Sequence, residues 1–522
     1  MKDIEKEEQV LDVTNSDPYN DEKNLYLTTS NYTPSTASSK PTTSSPNSFY
    51  TKIMKYLNAE TIGIEPIPEE LKTDNSIMNA STMWFSANMD VASFALGALG
   101  PAIFDLNFGT SILTIVFFSA LGAIPVAWFS LFGAELGMRQ MVLSRYLTGN
   151  LAARLFSLFN CIGCVGWATV NTIAAAELIN MVNRPHNCPP WASCLILIVA
   201  TIIVTFFGYK VVHLYEKWSW VPNFAVFLVI IARLKINNDF EGGIWTHGTT
   251  TAGNVLSFGG SIFGYVAGWA TYAADFTSYM PRNFNKSKIF AGVGFGLYLP
   301  ICFTTILGAA CTSCLKKNPV YQELYDNDGF GGLVYGILVV DSLHGFGQFC
   351  CIVLALSTIS GNIPNMYSIA LCTQAFWEPL TKIPRPLLTI AGNGITLGIS
   401  IAAYYRFTTF MSNFMDAIGY FVGVYLGICV VEHFIFRRNK FSTYDVSIWN
   451  KFSELPIGLA GVFAIFAGGF GVAVGMDEGY WCGEIAAMIG EDGGDIGFEL
   501  GFGFSFVIYL IFRPIEMKYI GR

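Results

Sequence analysis

Charge is what this sequence has least of. Only 13% of its 522 residues are Asp, Glu, Lys or Arg, about half the share in an ordinary soluble domain. A water-facing surface cannot be built from so little while 52% of the residues are hydrophobic, so a soluble globular protein is excluded and an integral membrane protein remains. Basic charge is not in excess either. The 30 Lys and Arg against 38 Asp and Glu leave a net −8, much of it in the N-terminal segment and the stretch Asp477 to Asp495, which implies no nucleic-acid surface. Histidines number five. The two C-x-x-C pairs, Cys161 with Cys164 and Cys311 with Cys314, lack both a second pair and the His spacing of a zinc site, so no metal is expected and the cysteines read as packing residues. No nucleophile, base and orienting-group set occurs in the apolar runs, which argues against an enzyme. The opening 75 residues contain no apolar h-region, so no signal peptide is expected.

Residues 1–75 are rich in Ser, Thr, Asn, Pro, Lys and Glu. Such a composition buries too little apolar surface to offset chain entropy, and a disordered tail is expected, with phosphorylation or ubiquitination machinery as candidate partners. From Met83 onward, about 12 apolar runs of roughly 20 residues, the length that spans hydrocarbon, follow one another. They begin near Thr82, Phe108, Ala153, Trp191, Trp218, Gly253, Lys288, Gly331, Arg385, Phe410, Pro456 and Gly497. With the N-terminus in the cytoplasm, the inner loops carry Arg139, Arg145, Arg154, Lys210, Lys217, Arg282, Lys286, Lys288, Lys382, Arg385, Arg437, Arg438, Lys440 and Lys451. The outer ones keep Arg184, Arg233, Lys235, Lys316, Lys317 and Arg406. That asymmetry places both termini inside.

Two halves emerge, 76–240 with five runs and 250–438 with five more, followed by two runs and a short C-terminus in 439–522. Each half opens on a glycine-interrupted run. In the first, Gly97, Gly100 and Pro101 follow Asn88, Asp90 and Ser93; in the sixth, Gly259, Gly260, Gly264 and Gly268 precede Trp269, Tyr272 and Asp275. Glycine gives up helix stability, and a helix broken within a bilayer survives only where protein or a water-filled cavity satisfies the freed backbone. The same glycines would also let neighbouring helices approach closely. An odd number of spans per half turns the second half upside down relative to the first. This is the pattern of an all-α, five-plus-five inverted-repeat transporter with broken helices 1 and 6, whose cargo binds between the breaks.

Candidate site residues lie in three other places. Trp167 and Asn171, four apart, share one helical face in the third run, and a stacking ring beside an amide suits a flat hydrogen-bonding heterocycle. In the eighth run Asn362 and Asn365 flank Pro364, which removes an amide hydrogen from the ladder; two amides deep in an apolar run are costly unless they bind something. Asp90, an acid inside the first run, is a candidate for proton coupling or for pairing with a cargo donor. Asp275, Glu177, Glu432 and His433 stand nearer the ends of their runs, where gate-lining positions are as well accounted for as coupling ones.

The segments WFSANM, GAELGMRQMVLSRYLTGN, FFGYKVVHLYEKWSWVPNFAVFLVI, AGWATYAADFTSYMP, STISGNIPNMYSIAL and GGDIGFELG resemble the fungal purine-cytosine permeases of the nucleobase-cation-symport-1 family, from about residue 60 to the C-terminus. The resemblance implies a LeuT-like fold of twelve helices, a plasma-membrane location, and uptake of cytosine, adenine, guanine and hypoxanthine with a proton as coupling ion and no cofactor. It assigns Trp167, Asn171, Trp269, Asn362 and Asn365 to the base, with Trp269 stacking on the face opposite Trp167, and Ser93 as a first-helix polar contact. Ser357 and Thr358 stand where sodium-coupled relatives bind their cation and receive no coordination role. An acid at Asp90 departs from the family pattern and favours a donor-rich or cationic cargo. Two other readings stay open: a transporter of the same fold for another flat ring, such as a vitamin B6 compound or allantoin, and a nutrient sensor that binds a base with little flux.

Overall fold

The computed structural model describes residues 63–182, 184–186, 188–206, 215 and 217–521. The tail expected over 1–75 lies outside the described residues as far as residue 62. Its last part is packed. Ile64 and Ile67 are buried, the Ile67 N–H donates to the Gly137 carbonyl at 2.8 Å, and the buried Lys72 ammonium donates to the Ala134 carbonyl at 3.2 Å. The two isoleucines supply the apolar surface that the low-complexity stretch lacks, so the boundary at 75 falls too late.

The first half comprises α1 (Ile77–Asn88), α2 (Val91–Ala102), α3 (Phe108–Leu136), the short α4 (Gln140–Leu147), α5 (Asn150–Val182), α6 (Pro190–Phe206) and α7 (Trp220–Asn237). The second comprises α8 (Thr249–Ala267) with two 3₁₀ turns behind it, α9 (Lys286–Thr312), α10 (Pro319–Leu338), α11 (His344–Phe376), α12 (Arg385–Ala403) and α13 (Phe407–Val430). Two further helices, α14 (Leu459–Gly475) and α15 (Gly497–Ile520), flank a two-residue hairpin of β1 (Asp477–Glu478) and β2 (Trp481–Cys482). Among the described residues, seven helical segments are long and apolar enough to cross a bilayer. The 29 residues of α3, at about 1.5 Å each, exceed a hydrocarbon core of about 30 Å. Leu113, Phe117, Ile124, Phe295, Leu299, Phe466 and Phe470 are all more than half exposed, which an apolar solvent explains and water does not.

The halves interleave. Helix α5 packs along α11, α9 lies against α1, α2 and α3, and α8 runs between α3 and α13, while α14 and α15 pair and lean on α13. The centre is thus walled by one long span from each half.

The first break falls elsewhere than the glycines suggest, and the second at the last of its four. The first run is interrupted at Met89 (φ −93°, ψ 57°) and Asp90 (φ −132°, ψ 173°), ahead of Gly97 and Gly100, which sit inside α2. The physical cause is a cap. Asp90 accepts from the Ser93 N–H at 2.9 Å, a bond that starts a helix anew and contributes about 1 kcal/mol. In the sixth run α8 passes unbroken through Gly259, Gly260 and Gly264. It gives way only at Gly268, to 3₁₀ turns over Gly268–Thr271 and Ala273–Phe276. Gly264 serves close approach: a Cβ there would lie 1.9 Å from the Met415 carbonyl of α13. The eighth span also begins later than Gly331. That residue belongs to α10, and an irregular stretch over Val339–Leu343 precedes α11.

Candidate functional site

Two helix ends meet at the first break, and their backbone groups find partners from other spans. The Met89 carbonyl accepts from the Asn223 amide of α7 at 3.0 Å, and the Val91 N–H donates to Ser357 Oγ of α11 at 3.1 Å. The Ser93 hydroxyl lies 2.7 Å from Asp90 Oδ1 and 2.8 Å from the Asn88 carbonyl, with one proton to give them. Ser93, expected as a cargo contact, is thereby turned toward the break itself. Ser357 and Thr358 donate back to the carbonyls of Leu354 and Ala355 at 2.5 and 2.8 Å.

The second break brings aromatic rings against the first. Trp269 Nε1 donates to Asn88 Oδ1 at 3.1 Å, while Asn88 Nδ2 donates to the Trp84 carbonyl at 2.8 Å. The Trp269 ring meets Trp84 edge-on at 5.2 Å and lies nearly parallel to Trp167, centroids 5.9 Å apart at 26°. Tyr265 closes the other side, its ring 5.0 Å from Trp167 and edge-on. A flat ring held between two others needs about 7 Å, two contacts of about 3.5 Å. The sandwich between Trp167 and Trp269 therefore does not fit this conformation, in which the indoles contact each other.

The amides divide into two groups. Asn171 Nδ2 donates to Asn362 Oδ1 at 2.9 Å, joining α5 to α11 inside the wall. Their remaining groups, the Asn171 carbonyl and the Asn362 NH2, have no other partner among the described residues. Both side chains are buried. Together they offer one acceptor and one donor, the two kinds of group that a heterocycle edge pairs with. Asn365 is occupied: its NH2 donates to the Gly361 carbonyl at 3.0 Å and its carbonyl accepts from the Tyr272 hydroxyl at 3.0 Å. It braces the proline-interrupted turn of α11 against the second break. Asp90 is 1% exposed, and its second oxygen, Oδ2, has no partner among the described residues.

Asp275 stands apart from these groups. Its Oδ1 accepts from the Gln140 N–H at 2.7 Å, and Arg139 donates to the Asp275 carbonyl at 3.1 Å and to Ser278 at 3.2 Å. The acid ties the end of the second break to the start of α4. Glu177 accepts from the Gly331 N–H at 2.9 Å. Glu432 is ion-paired with Arg437 at 2.9 Å and Arg513 at 3.1 Å, and the His433 ring nitrogens face Tyr444 and Asn439, both at 2.9 Å. Three residues of the centre escaped the sequence reading: Asn88, Asn223 and Tyr265. Tyr265 stands four before Trp269, a spacing that could have revealed it; Asn223, one polar residue in an apolar run, carried a weaker signal.

Broken helices meeting at a buried polar and aromatic centre, inside a bundle of membrane-spanning length, define a secondary transporter. The fold is similar to that of Mhp1, a nucleobase-cation-symport-1 family transporter solved in a closed conformation with bromovinylhydantoin bound. The TM-score is 0.65 at 14% identity, covering 89% of this chain and 96% of that one. Over 477 residues the chain is 59% identical to the purine-cytosine permease FCY2 of Saccharomyces cerevisiae, covering 91% of this chain and 89% of that protein. It is 30% identical over 517 residues to the vitamin B6 transporter TPN1 of the same yeast, covering 89% of each. The chain belongs to the family of permeases for cytosine/purines, uracil, thiamine and allantoin, whose model matches residues 66–483. It is a multi-pass membrane transporter.

Proposed function

We propose that this transporter takes up cytosine and purine bases, adenine, guanine and hypoxanthine among them, across the plasma membrane together with protons. The observation that carries the reading is the Asn171–Asn362 pair beside the Trp167 and Trp269 indoles: an acceptor, a donor and flat apolar faces in one enclosed place. The 59% identity to a purine-cytosine permease, against 30% to the vitamin B6 transporter, favours bases over pyridoxine-like rings. Arg139, Arg145, Arg154, Arg437 and Lys440 gather at the end bearing α4, which supports a cytoplasmic reading of that end and of both termini. Tail hydroxyls and lysines in residues 1–62 are proposed as sites for turnover signals.

In this scheme a base entering from the hairpin end parts the indoles by about 1 Å to stack between them. Its edge is read by Asn171 and Asn362. Each such bond discriminates, because a ring lacking the matching group leaves a buried amide unpaired. Asp275 and Arg139 hold the inner exit shut until the second break moves away from α4.

The test is uptake of labelled cytosine and adenine by cells lacking their own base permeases, with and without a protonophore and with unlabelled pyridoxine as competitor. Accumulation that collapses with the protonophore and ignores pyridoxine is expected. No uptake from a chain that reaches the surface, or uptake that pyridoxine abolishes, would sink the reading. Asn171→Ala should weaken base affinity at least about tenfold at normal surface level, since it removes a ligand group and strands Asn362; unchanged affinity would take the pair out of the site.

A further inference from the structure

Helix α5 touches the second break at two places. At one, Trp167 lies against Trp269. At the other, seven residues earlier and two turns along the same face of α5, Asn160 meets Thr271, which stands two positions beyond Trp269 in the 3₁₀ turn Gly268–Thr271. The Thr271 hydroxyl donates to Asn160 Oδ1 at 2.6 Å, and Asn160 Nδ2 donates to the Thr271 carbonyl at 3.3 Å and to Cys372 Sγ of α11 at 3.0 Å. Both residues are buried, Asn160 at 2% and Thr271 at 1% exposure. One amide thus grips the backbone and the side chain of a single residue, and ties them to a third element.

The turn so gripped carries Trp269 ahead of Thr271 and Tyr272 behind it, whose hydroxyl reaches Asn365. A 3₁₀ turn is short and its hydrogen-bond geometry is poorer than that of an α-helix, so its placement depends on contacts from outside. Gly268 limits its approach to α5, since a Cβ there would stand 2.9 Å from Trp167 Cζ2. Asn160 limits its retreat. The Thr271 hydroxyl also has the Gly268 carbonyl at 2.9 Å, and one proton to give. Without Asn160 that proton goes to Gly268, so the turn keeps an internal bond and loses its tie to α5.

We propose that Asn160 is a positioning residue for the cargo: by gripping Thr271 it fixes the turn that carries Trp269, and so sets the spacing of the two indoles between which a flat ring must enter. The assignment rests on the transport reading above and deepens it. With the grip gone, the turn has to be ordered by the cargo itself, which weakens binding without removing any group that touches the ring.

The experiment is equilibrium dialysis of labelled adenine against the purified protein, for the unmodified chain, N160A, T271V and the double variant. N160A and T271V should each weaken binding about fivefold or more, as expected for the loss of one net hydrogen bond. The double variant should be no weaker than N160A alone, because both changes break the same grip. T271S keeps the hydroxyl and should recover the affinity that T271V loses. A packing role alone would lower the Tm of N160A and leave its adenine affinity where it was; that result overturns the assignment and leaves base transport standing. A double variant whose loss is the product of the two single losses overturns it as well. If the unmodified chain binds no adenine, the transport reading falls first, and this proposal with it. Should N160A not be recovered in folded form, T271V and T271S decide alone: weakening in the first and not in the second upholds the assignment, and equal affinities overturn it.

Discussion

The two ends of the bundle are closed by different chemistry. At the end bearing α4, Glu432 of the tenth span holds Arg437 and Arg513 and accepts from Tyr509 at 3.1 Å, and Glu516 accepts the first N–H groups of α14, from Gly458 at 2.7 Å and Ala460 at 3.2 Å. Both of these carboxylates meet a cation or a helix N-terminus. At the hairpin end Asp416, Glu478 and Asp495 gather around Tyr420 and Ser261. Tyr420 donates to Asp495 in a short contact and lies 3.2 Å from Glu478, while Ser261 donates to Asp416 at 2.8 Å. Among the described residues none of these three acids is in an ion pair with lysine or arginine. One end is fastened by ion pairs, the other by carboxyls whose partners are neutral. The fastening at the hairpin end should therefore follow pH.

The largest effect that would break this contrast is expected at Glu432. Glu432→Gln removes the carboxylate that Arg437 and Arg513 share in a buried site, a loss of about 3–5 kcal/mol, visible as a lowered Tm of the purified protein. An unchanged Tm would mean that these ion pairs do not fasten that end. The next effect is at Glu478, whose carboxyl is pushed up to about 7 by burial first and by the Asp495 charge second. A carboxyl raised in the folded state keeps its proton where the unfolded chain has lost it, so its contribution is fully present below about pH 4.5 and is lost as pH climbs through 7. Stability should fall over that interval by on the order of 2 kcal/mol, and Glu478→Gln should flatten the slope. An unchanged pH profile would assign the slope to other groups. The smallest effect is expected from Ser261→Ala, which removes one neutral donor from Asp416 at a cost of about 1 kcal/mol. A loss as large as that of Glu432→Gln would show that the hairpin end depends on Asp416 being charged.

The difference between the ends was only half visible beforehand. Apolar runs at hydrocarbon length gave away the spans, and the lysines and arginines marked one end. Nothing along the chain says that Glu478 and Asp495 share a tyrosine, because burial and partner are set by how the hairpin and the start of α15 pack against α13. The centre follows the same rule. Trp167 and Asn171 declare themselves by lying four apart on one helix, but the bond from Asn171 to Asn362 joins residues 191 positions apart. The breaks misled for a different reason. Glycine both weakens a helix and lets another backbone approach, and Gly264 does the second. The sign of the first break was the Asp90–Ser93 cap, three residues apart, which reads as a new helix start once glycine is set aside.

The hydrogen bond that Asn223 lends to the Met89 carbonyl gives the fifth span a say in a pocket it does not line. The curvature of the chain at Met89, and with it the aim of Asp90, depends on a side chain from another helix. A chain changed only at 223 should therefore bend differently at Met89 while every other residue of the centre is kept.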